Sequence, residues 1–281
     1  MRRKHPIQNS INVAIFLFLS LLSIFNLYPL LYLLFSSFKN NTEIFYSNPF
    51  GFPHLLRVEN YINAYKAFNM PLYFFNSALV TAVTVVATIF LALMFSYATA
   101  RMKWRFAHVS RIYLLVGMFI PAQIVLLPIM IMERNLHIQS SYLAVIIPYV
   151  GFQLSFATLV FYGFMRSIPY ELEESASIDG ANTYLTFFRI IVPITMPAIA
   201  TVAIFIFLFA WNEFLIALVM ISKSSLQTIP LGLLNFSGQF TTDWGGKGAA
   251  MVIATLPTIL VYFFFSEKVE QAMTVGAAVK G

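Results

Sequence analysis

The chain alternates long apolar runs with short polar stretches. The apolar runs cover about 11–35, 75–100, 112–132, 141–165, 197–221 and 249–265. As an α-helix, rising about 1.5 Å per residue, each is long enough to cross a bilayer core of about 30 Å or most of it. The hydrophobicity is continuous rather than alternating. That excludes a closed β-barrel and predicts six membrane-spanning helices. The first run follows MRRKHP. At roughly 25 residues it exceeds the apolar stretch of a secretory signal, and no small-residue cleavage site follows, so it reads as a retained first span. Prolines fall inside several runs, at Pro29, Pro121, Pro128, Pro148 and Pro257. They predict simple kinks, or kinks that shape a central cavity.

Composition agrees with this pattern. Of 281 residues, 59% are hydrophobic and only 10% charged, where a soluble domain carries about 25% charged residues. The expectation is an all-α membrane protein forming one transmembrane domain over 1–281. The net charge of +6 does not point to nucleic acid, because the cations sit in loops. One side gathers Arg2, Arg3, Lys4, Arg101, Lys103, Arg105, Arg111, Arg166, Arg189, Lys268 and Lys280. The other gathers Lys39, Arg57, Lys66, Arg134, Lys223 and Lys247. Short loops decide orientation: Arg101 to Arg111 carries four cations, while Glu133 to Ser140 carries one. Both termini are therefore expected on the cytoplasmic side. The external stretches Ser36–Tyr73 and Ser222–Gly248 can meet an external partner or form a packed cap.

Most site chemistry is absent. There is no cysteine, hence no disulfide framework. His5, His54, His108 and His137 are scattered without metal-ligand spacing, so no metal site is predicted. No phosphate-binding G-x4-G-K-[ST] occurs, because Thr241 stands where Gly246-Lys247 would need a glycine. No nucleophile motif occurs either. These absences give no ground for enzyme chemistry or for a cofactor of the chain's own. If transport is ATP-driven, ATP must bind to a separate chain.

One polar stretch stands out: ELEESASIDGANTYLTFFRIIVP, from Glu171 to Pro193. It holds Glu171, Glu173, Glu174 and Asp179, four of the eleven acids in the chain. Pro169 suits a helix start, and acids in the first turn favour the helix dipole. Gly180 is a stop signal, and Asn182 can cap a second helix, Thr183 to Val192, ending at Pro193. Ile168, Leu172 and Ala176, spaced by four, form a narrow apolar stripe. The segment is either a solvated connector or a docking element for a basic partner. The small residues Ser175, Ala176 and Ser177 and the tight elbow favour docking.

The spacing E-S-A, three residues, Gly, nine residues, I-x-V-P falls on Glu174, Ser175, Ala176, Gly180, Ile190, Val192 and Pro193. It resembles the EAA loop of binding-protein-dependent ABC importer permeases, with Ser for the first Ala and Val for Leu. The resemblance extends along the chain. Trp211-Asn212-Glu213-Phe214 is similar to a sequence in the fifth helix of carbohydrate permeases. Val275 to Gly281 looks like their G-A-V-K-G terminus with one extra Ala, and Asn60-Tyr61 and Asn76-Ser77 match positions before and at the start of their second helix. Among them the chain is most similar to the MalG-like subunit of the maltose-type pair. The resemblance implies a prokaryotic plasma-membrane protein with a coupling loop over 167–193 between helices four and five. It implies a second, homologous permease, two copies of a cytoplasmic ATPase carrying ATP and Mg, an extracellular solute-binding protein and a sugar substrate. Coupling to the ATPase then falls to Glu171, Leu172, Glu174, Ser175, Ala176, Asp179, Gly180 and Pro193, with Leu172 and Ala176 packing into the ATPase cleft and Glu174 pairing with a basic residue.

Glu213 is the acid expected well inside a span, where carboxylates are costly. With Trp211 and Asn212 it forms a candidate substrate path, an aromatic face beside amide groups. A structural hydrogen bond or a proton relay are the other roles open to it. Three rivals remain: an ion-coupled secondary transporter or channel, a membrane-embedded enzyme using Glu213, and an ABC permease for a non-sugar solute.

Overall fold

The computed structural model describes residues 6–67, 69–236 and 242–278, and side chains over 11–66, 69–236 and 242–265. Arg2, Arg3, Lys4, His5, Thr241, Lys280 and the end of the C-terminal motif, 279–281, lie outside the described residues, as does the side chain of Lys268. The described chain is all-helical. Its helices are α1 (Pro6–Ser36), α2 (Glu59–Ala67), α3 (Met70–Ala100), α4 (Ala107–Val116), α5 (Ala122–Asn135), α6 (Leu143–Ser167) and α7 (Glu171–Ile178). They continue with α8 (Thr183–Thr186), α9 (Val192–Ile194), α10 (Met196–Asn212), α11 (Leu215–Met220), α12 (Ile229–Gly232) and α13 (Trp244–Ala278). Four helices are long and apolar enough to cross a membrane, and the number rises to six if each of two bent pairs counts as one span.

Two expected single helices are broken. The run over 112–132 becomes α4 and α5, bent by 107°. Ile120 is extended, at φ −85° and ψ 113°, because the Pro121 ring disfavours a helical residue before it. By contrast Pro29, Pro128, Pro148 and Pro257 lie inside continuous helices. The run over 197–221 becomes α10 and α11, separated at Glu213 and Phe214. Glu133, expected in an external loop, lies inside α5 and is only 4% exposed. Among the described residues neither of its carboxylate oxygens has a hydrogen-bond partner.

Internal packing divides the chain into two compact units, with boundaries at Met70/Pro71, Gly232/Leu233 and Thr255/Leu256. In the first, the most apolar stretch of α1 has no buried residue. The loop after it is organised around Lys39, which is fully buried and donates from Nζ to the carbonyls of Asn48 (2.7 Å) and Gly51 (2.7 Å). Asn60 donates to the carbonyls of Ser37 (2.8 Å) and Lys39 (2.9 Å). Asn41 donates to Thr242 O (2.7 Å) and accepts from Trp244 N (2.9 Å), which joins the loop to the start of α13. Gly245 fits there because a Cβ would lie 2.1 Å from Lys39 O.

The second unit holds two apolar clusters. One gathers Tyr97, Phe161, Met165, Phe187, Ile191 and Val202 from the C-terminal halves of α3 and α6, the segment after α8, and α10. The other gathers Val80, Val145, Tyr149, Ile216, Met220 and Leu231 from the starts of α3 and α6, α11 and α12. Polar ties close the second end. Asn76 donates to the carbonyls of Ser225 (3.0 Å) and Gln227 (2.9 Å) and accepts from Tyr142 Oη (2.7 Å). Ser77 accepts from Ile229 N (2.8 Å). The Asn-Ser pair singled out in the sequence is thus a helix-to-loop latch.

Candidate functional site

α6 stops at Ser167 because Pro169 follows, and Ile168 turns extended at ψ 129°. α7 then starts with Glu171, Glu173 and Glu174 in its first turn. It ends as the sequence predicts. Gly180 has φ +84°, its N–H reaches Ser177 O at 3.1 Å, and Ala181 N reaches Ala176 O at 2.9 Å. This double closure needs a left-handed residue, which glycine adopts without a Cβ penalty. Asn182 caps α8, its Oδ1 accepting from Leu185 N at 2.9 Å. The helix from Thr183 does not stop at Pro193. It passes through a π-helical turn at Phe187–Ile191 and ends at Ile194. At Thr195, whose hydroxyl donates back to Ile191 O (2.7 Å), the chain bends by 73° into α10.

α7 has two faces. Glu171, Glu174, Ser175 and Ile178, at positions i, i+3, i+4 and i+7, form the outward one, and all four are exposed. Ile178 is 86% exposed. Leu172, Asp179, Gly180 and Pro193 are exposed as well. Ala176 is not: it is 6% exposed and packs inside this chain, so it does not offer itself to a partner's cleft. Of the expected stripe Ile168 and Ala176 face inward while Leu172 is exposed, and Ile178 is the most exposed apolar group of α7.

Glu173, given no role beyond the helix start, belongs to the inward face. Its carboxylate pairs with Arg101, whose side chain is 1% exposed, and accepts from Tyr97 Oη at 3.1 Å. Arg101 also donates to the carbonyls of Met165 (3.2 Å), Ile168 (2.9 Å) and Pro169 (3.3 Å). These carbonyls lie at or just past the end of α6, where helical partners run out, and Met165 O also accepts from Ile168 N (3.2 Å). The guanidinium lies 3.7 Å from the centre of the Tyr170 ring. Removing one member of a buried pair costs about 3–5 kcal/mol, because the other charge is stranded. The sequence marked Arg101 only as a loop cation, and the spacing of Glu173 three residues before buried Ala176 was the available signal.

The second candidate group sits at the α10–α11 break. Trp211 is 4% exposed, stacked on Phe207 (5.6 Å between centroids) and edge-on to Phe74 (5.3 Å). Its faces are covered, so it does not present a platform for a sugar. Asn212 is exposed, with its Nδ2 donating to Leu208 O at 2.8 Å. Glu213 is held by three donors: Ile216 N (2.8 Å), Ala217 N (3.2 Å) and Tyr149 Oη (2.6 Å). Two of them are N–H groups at the start of α11, so the carboxylate restarts the helix that its own extended backbone has broken. Of the three roles open to it, the geometry favours the structural one.

Residues 89–275 match the family described as "Binding-protein-dependent transport system inner membrane component". The chain is 33% identical over 280 residues to a probable ABC transporter permease protein, YurM, of Bacillus subtilis (strain 168), covering 100% of this chain and 91% of that one. It is 32% identical over 262 residues to the sulfoquinovosyl glycerol transport system permease protein SmoH of Agrobacterium fabrum (strain C58 / ATCC 33970), covering 93% and 92%. The fold matches a chain in a crystal structure of a bacterial ABC transporter involved in the import of the acidic polysaccharide alginate. The TM-score is 0.85 at 18% identity, over 95% of this chain and 99% of that one.

Proposed function

The chain belongs to the family of binding-protein-dependent transport system inner membrane components, and we propose that it forms half of the translocation path of a sugar or oligosaccharide importer. It is a permease subunit of an ABC importer and not an enzyme. Its companion is a second, similar permease. Two copies of a cytoplasmic ATPase bind ATP and Mg, and an external solute-binding protein delivers the solute. A relative that serves sulfoquinovosyl glycerol supports a carbohydrate. Six spans cross the plasma membrane of a prokaryote, with both termini cytoplasmic.

The outward face of α7 carries the coupling reading. Three polar residues, Glu171, Glu174 and Ser175, surround the single large apolar group Ile178 on one exposed side. That is the anatomy of a docking patch, an apolar anchor within a polar rim. Glu174 pairs with a cation of the ATPase and Ile178 enters its cleft. Closure of the ATPase dimer on ATP moves α7, and α7 moves the bundle between inward-open and outward-open states. Asn212, exposed at the broken fifth span, is the residue of the Trp211–Glu213 group that can meet the solute.

The test is reconstitution of the whole complex with its binding protein in vesicles, screening sugars for stimulated ATP hydrolysis. A neutral sugar or oligosaccharide is expected to stimulate. Glu174→Arg should lower the stimulated rate about tenfold or more, as reversal of an interfacial charge does. Solute uptake driven by an ion gradient with no ATPase present would sink the reading. Stimulation by amino acids alone would reassign the solute class.

A further inference from the structure

Besides the buried Ala176, α7 is attached to the rest of its unit in three ways. On one side is the short link Ile168–Pro169–Tyr170 from α6, and on the other the link Asp179–Gly180–Ala181 to α8. The third attachment is the contact between Glu173 and Arg101, 72 positions apart in sequence. These attachments differ in stiffness. Around Gly180 nothing lies within 4 Å of where a Cβ would be, and the turn is closed by the backbone bonds of Gly180 N to Ser177 O and Ala181 N to Ala176 O. The Ile168–Pro169 link, by contrast, is spanned by Arg101. One guanidinium bonds the carbonyls of Met165, Ile168 and Pro169 and the Glu173 carboxylate, and the Tyr170 ring packs on it. Tyr97, one turn earlier on α3, holds the same carboxylate from its second oxygen, and Tyr170 Oη returns a bond to Ala100 O at 3.3 Å. Arginine suits this position because its planar fork offers five donors at fixed angles, which a lysine ammonium cannot reproduce.

We propose that Arg101 and Glu173 are positioning residues that lock α7 onto the ends of α3 and α6, so that a push on α7 moves both helices as one body. The inference rests on the reading of α7 as the coupling helix. It places the path of force on the inward face of α7 and through Arg101, rather than through the Gly180 elbow. Neither residue touches the ATPase. Glu174 and Ile178 meet the partner, and Glu173 passes on what they receive.

The test uses the complete reconstituted complex and reads two quantities: the ATPase that co-purifies, and the ATP hydrolysed per solute imported. Glu173→Gln leaves the outward face untouched, so the ATPase should stay bound. The ATP spent per solute should rise about tenfold, within the usual range for coupling between two sites. Arg101→Lys keeps the charge and loses the fork, and should raise the ratio likewise. If Glu173→Gln does not assemble, Arg101→Lys decides by the same ratio. A wild-type ratio in the assembled variants overturns the proposal, and so does loss of the bound ATPase from Arg101→Lys. Glu174→Arg in the same preparation separates the two levels. If it changes nothing, the coupling reading of α7 fails. If it uncouples while Glu173→Gln and Arg101→Lys transport normally, only the joint fails.

Discussion

A carboxylate in a membrane span is stable where donors meet it, and Glu213 meets three of them. Glutamine at this position would keep one oxygen and turn an amide N–H₂ toward donors it cannot satisfy. Glu213→Gln should therefore cost the assembled protein about 1–3 kcal/mol, the range for stranding a buried polar group. Thermal unfolding of the purified complex should show this, with the ranking of stimulating sugars unchanged. A variant of normal thermal stability that no longer responds to any sugar would place Glu213 in the substrate path instead. Glu43 makes the matching case outside the membrane. Burial pushes its carboxyl up, but bonds from His54 N (2.8 Å), the His54 ring (3.0 Å) and Asn48 (3.4 Å) outweigh that, and its pKa lies below the ordinary carboxylate value. A depressed folded-state pKa means that the stabilisation is present above the ordinary carboxylate range. It is lost as pH falls through the folded value. Protection of residues 43–54 from hydrogen exchange should fall in acid for the wild type, and Glu43→Gln should show a flatter profile across the same range.

At the scale of elements, the best-read segments are those whose signals are local. Gly180 and Asn182 are a stop and a cap whatever surrounds them, and both hold the expected positions. A glycine whose value is conformational leaves a specific trace in mutants. Gly180→Ala has open space for its methyl but must hold φ at +84°, so its cost is about 1–2 kcal/mol of backbone strain alone. Gly180→Asn, which visits this region more readily, should retain more transport than Gly180→Ala in the reconstituted complex. Equal activity of the two would mean that the left-handed turn is not needed to hold the end of α7 in place. Where the signal is not local, the sequence says less. Pro121 announced a kink, but a 107° bend also depends on what α4 and α5 pack against, and hydropathy carries no direction. Glu133 fell beyond the apolar run, yet tertiary packing extends α5 to Asn135 and buries it. The Arg101–Glu173 contact joins residues 72 positions apart, and a list of charges does not say which pairs meet.

At the scale of the molecule, contacts within the second unit constrain how the chain threads the membrane. Arg101, just past α3, bonds Glu173 in α7, so the two lie on one side of the bilayer. Between them lie α6, which is long and apolar enough to cross, and the bent pair α4–α5. An even number of crossings is needed to return to the same side, so in the proposed topology, with α6 crossing, α4 and α5 together cross once rather than re-enter. The second end repeats the logic. Asn76 at the start of α3 bonds Tyr142 at the start of α6, and α3 and α4–α5 lie between them. Asn76 also bonds the carbonyls of Ser225 and Gln227, reached from α7 by way of α10 and α11, which in the same proposed topology cross once despite the break at Glu213. With α1 and α13, this is consistent with the proposed six crossings, and the excess of Lys and Arg near Arg101 is the reason for proposing that end as the cytoplasmic one. The chain has no cysteine, so a single introduced thiol is a clean reporter. Lys103→Cys and Gln139→Cys flank the bent pair, and both positions are exposed. A membrane-impermeant thiol reagent applied to intact cells should label Gln139→Cys and should reach Lys103→Cys only after the membrane is opened. Labelling of both from outside would make α4–α5 a re-entrant hairpin and leave an odd number of crossings between Arg101 and Glu173, which their contact forbids.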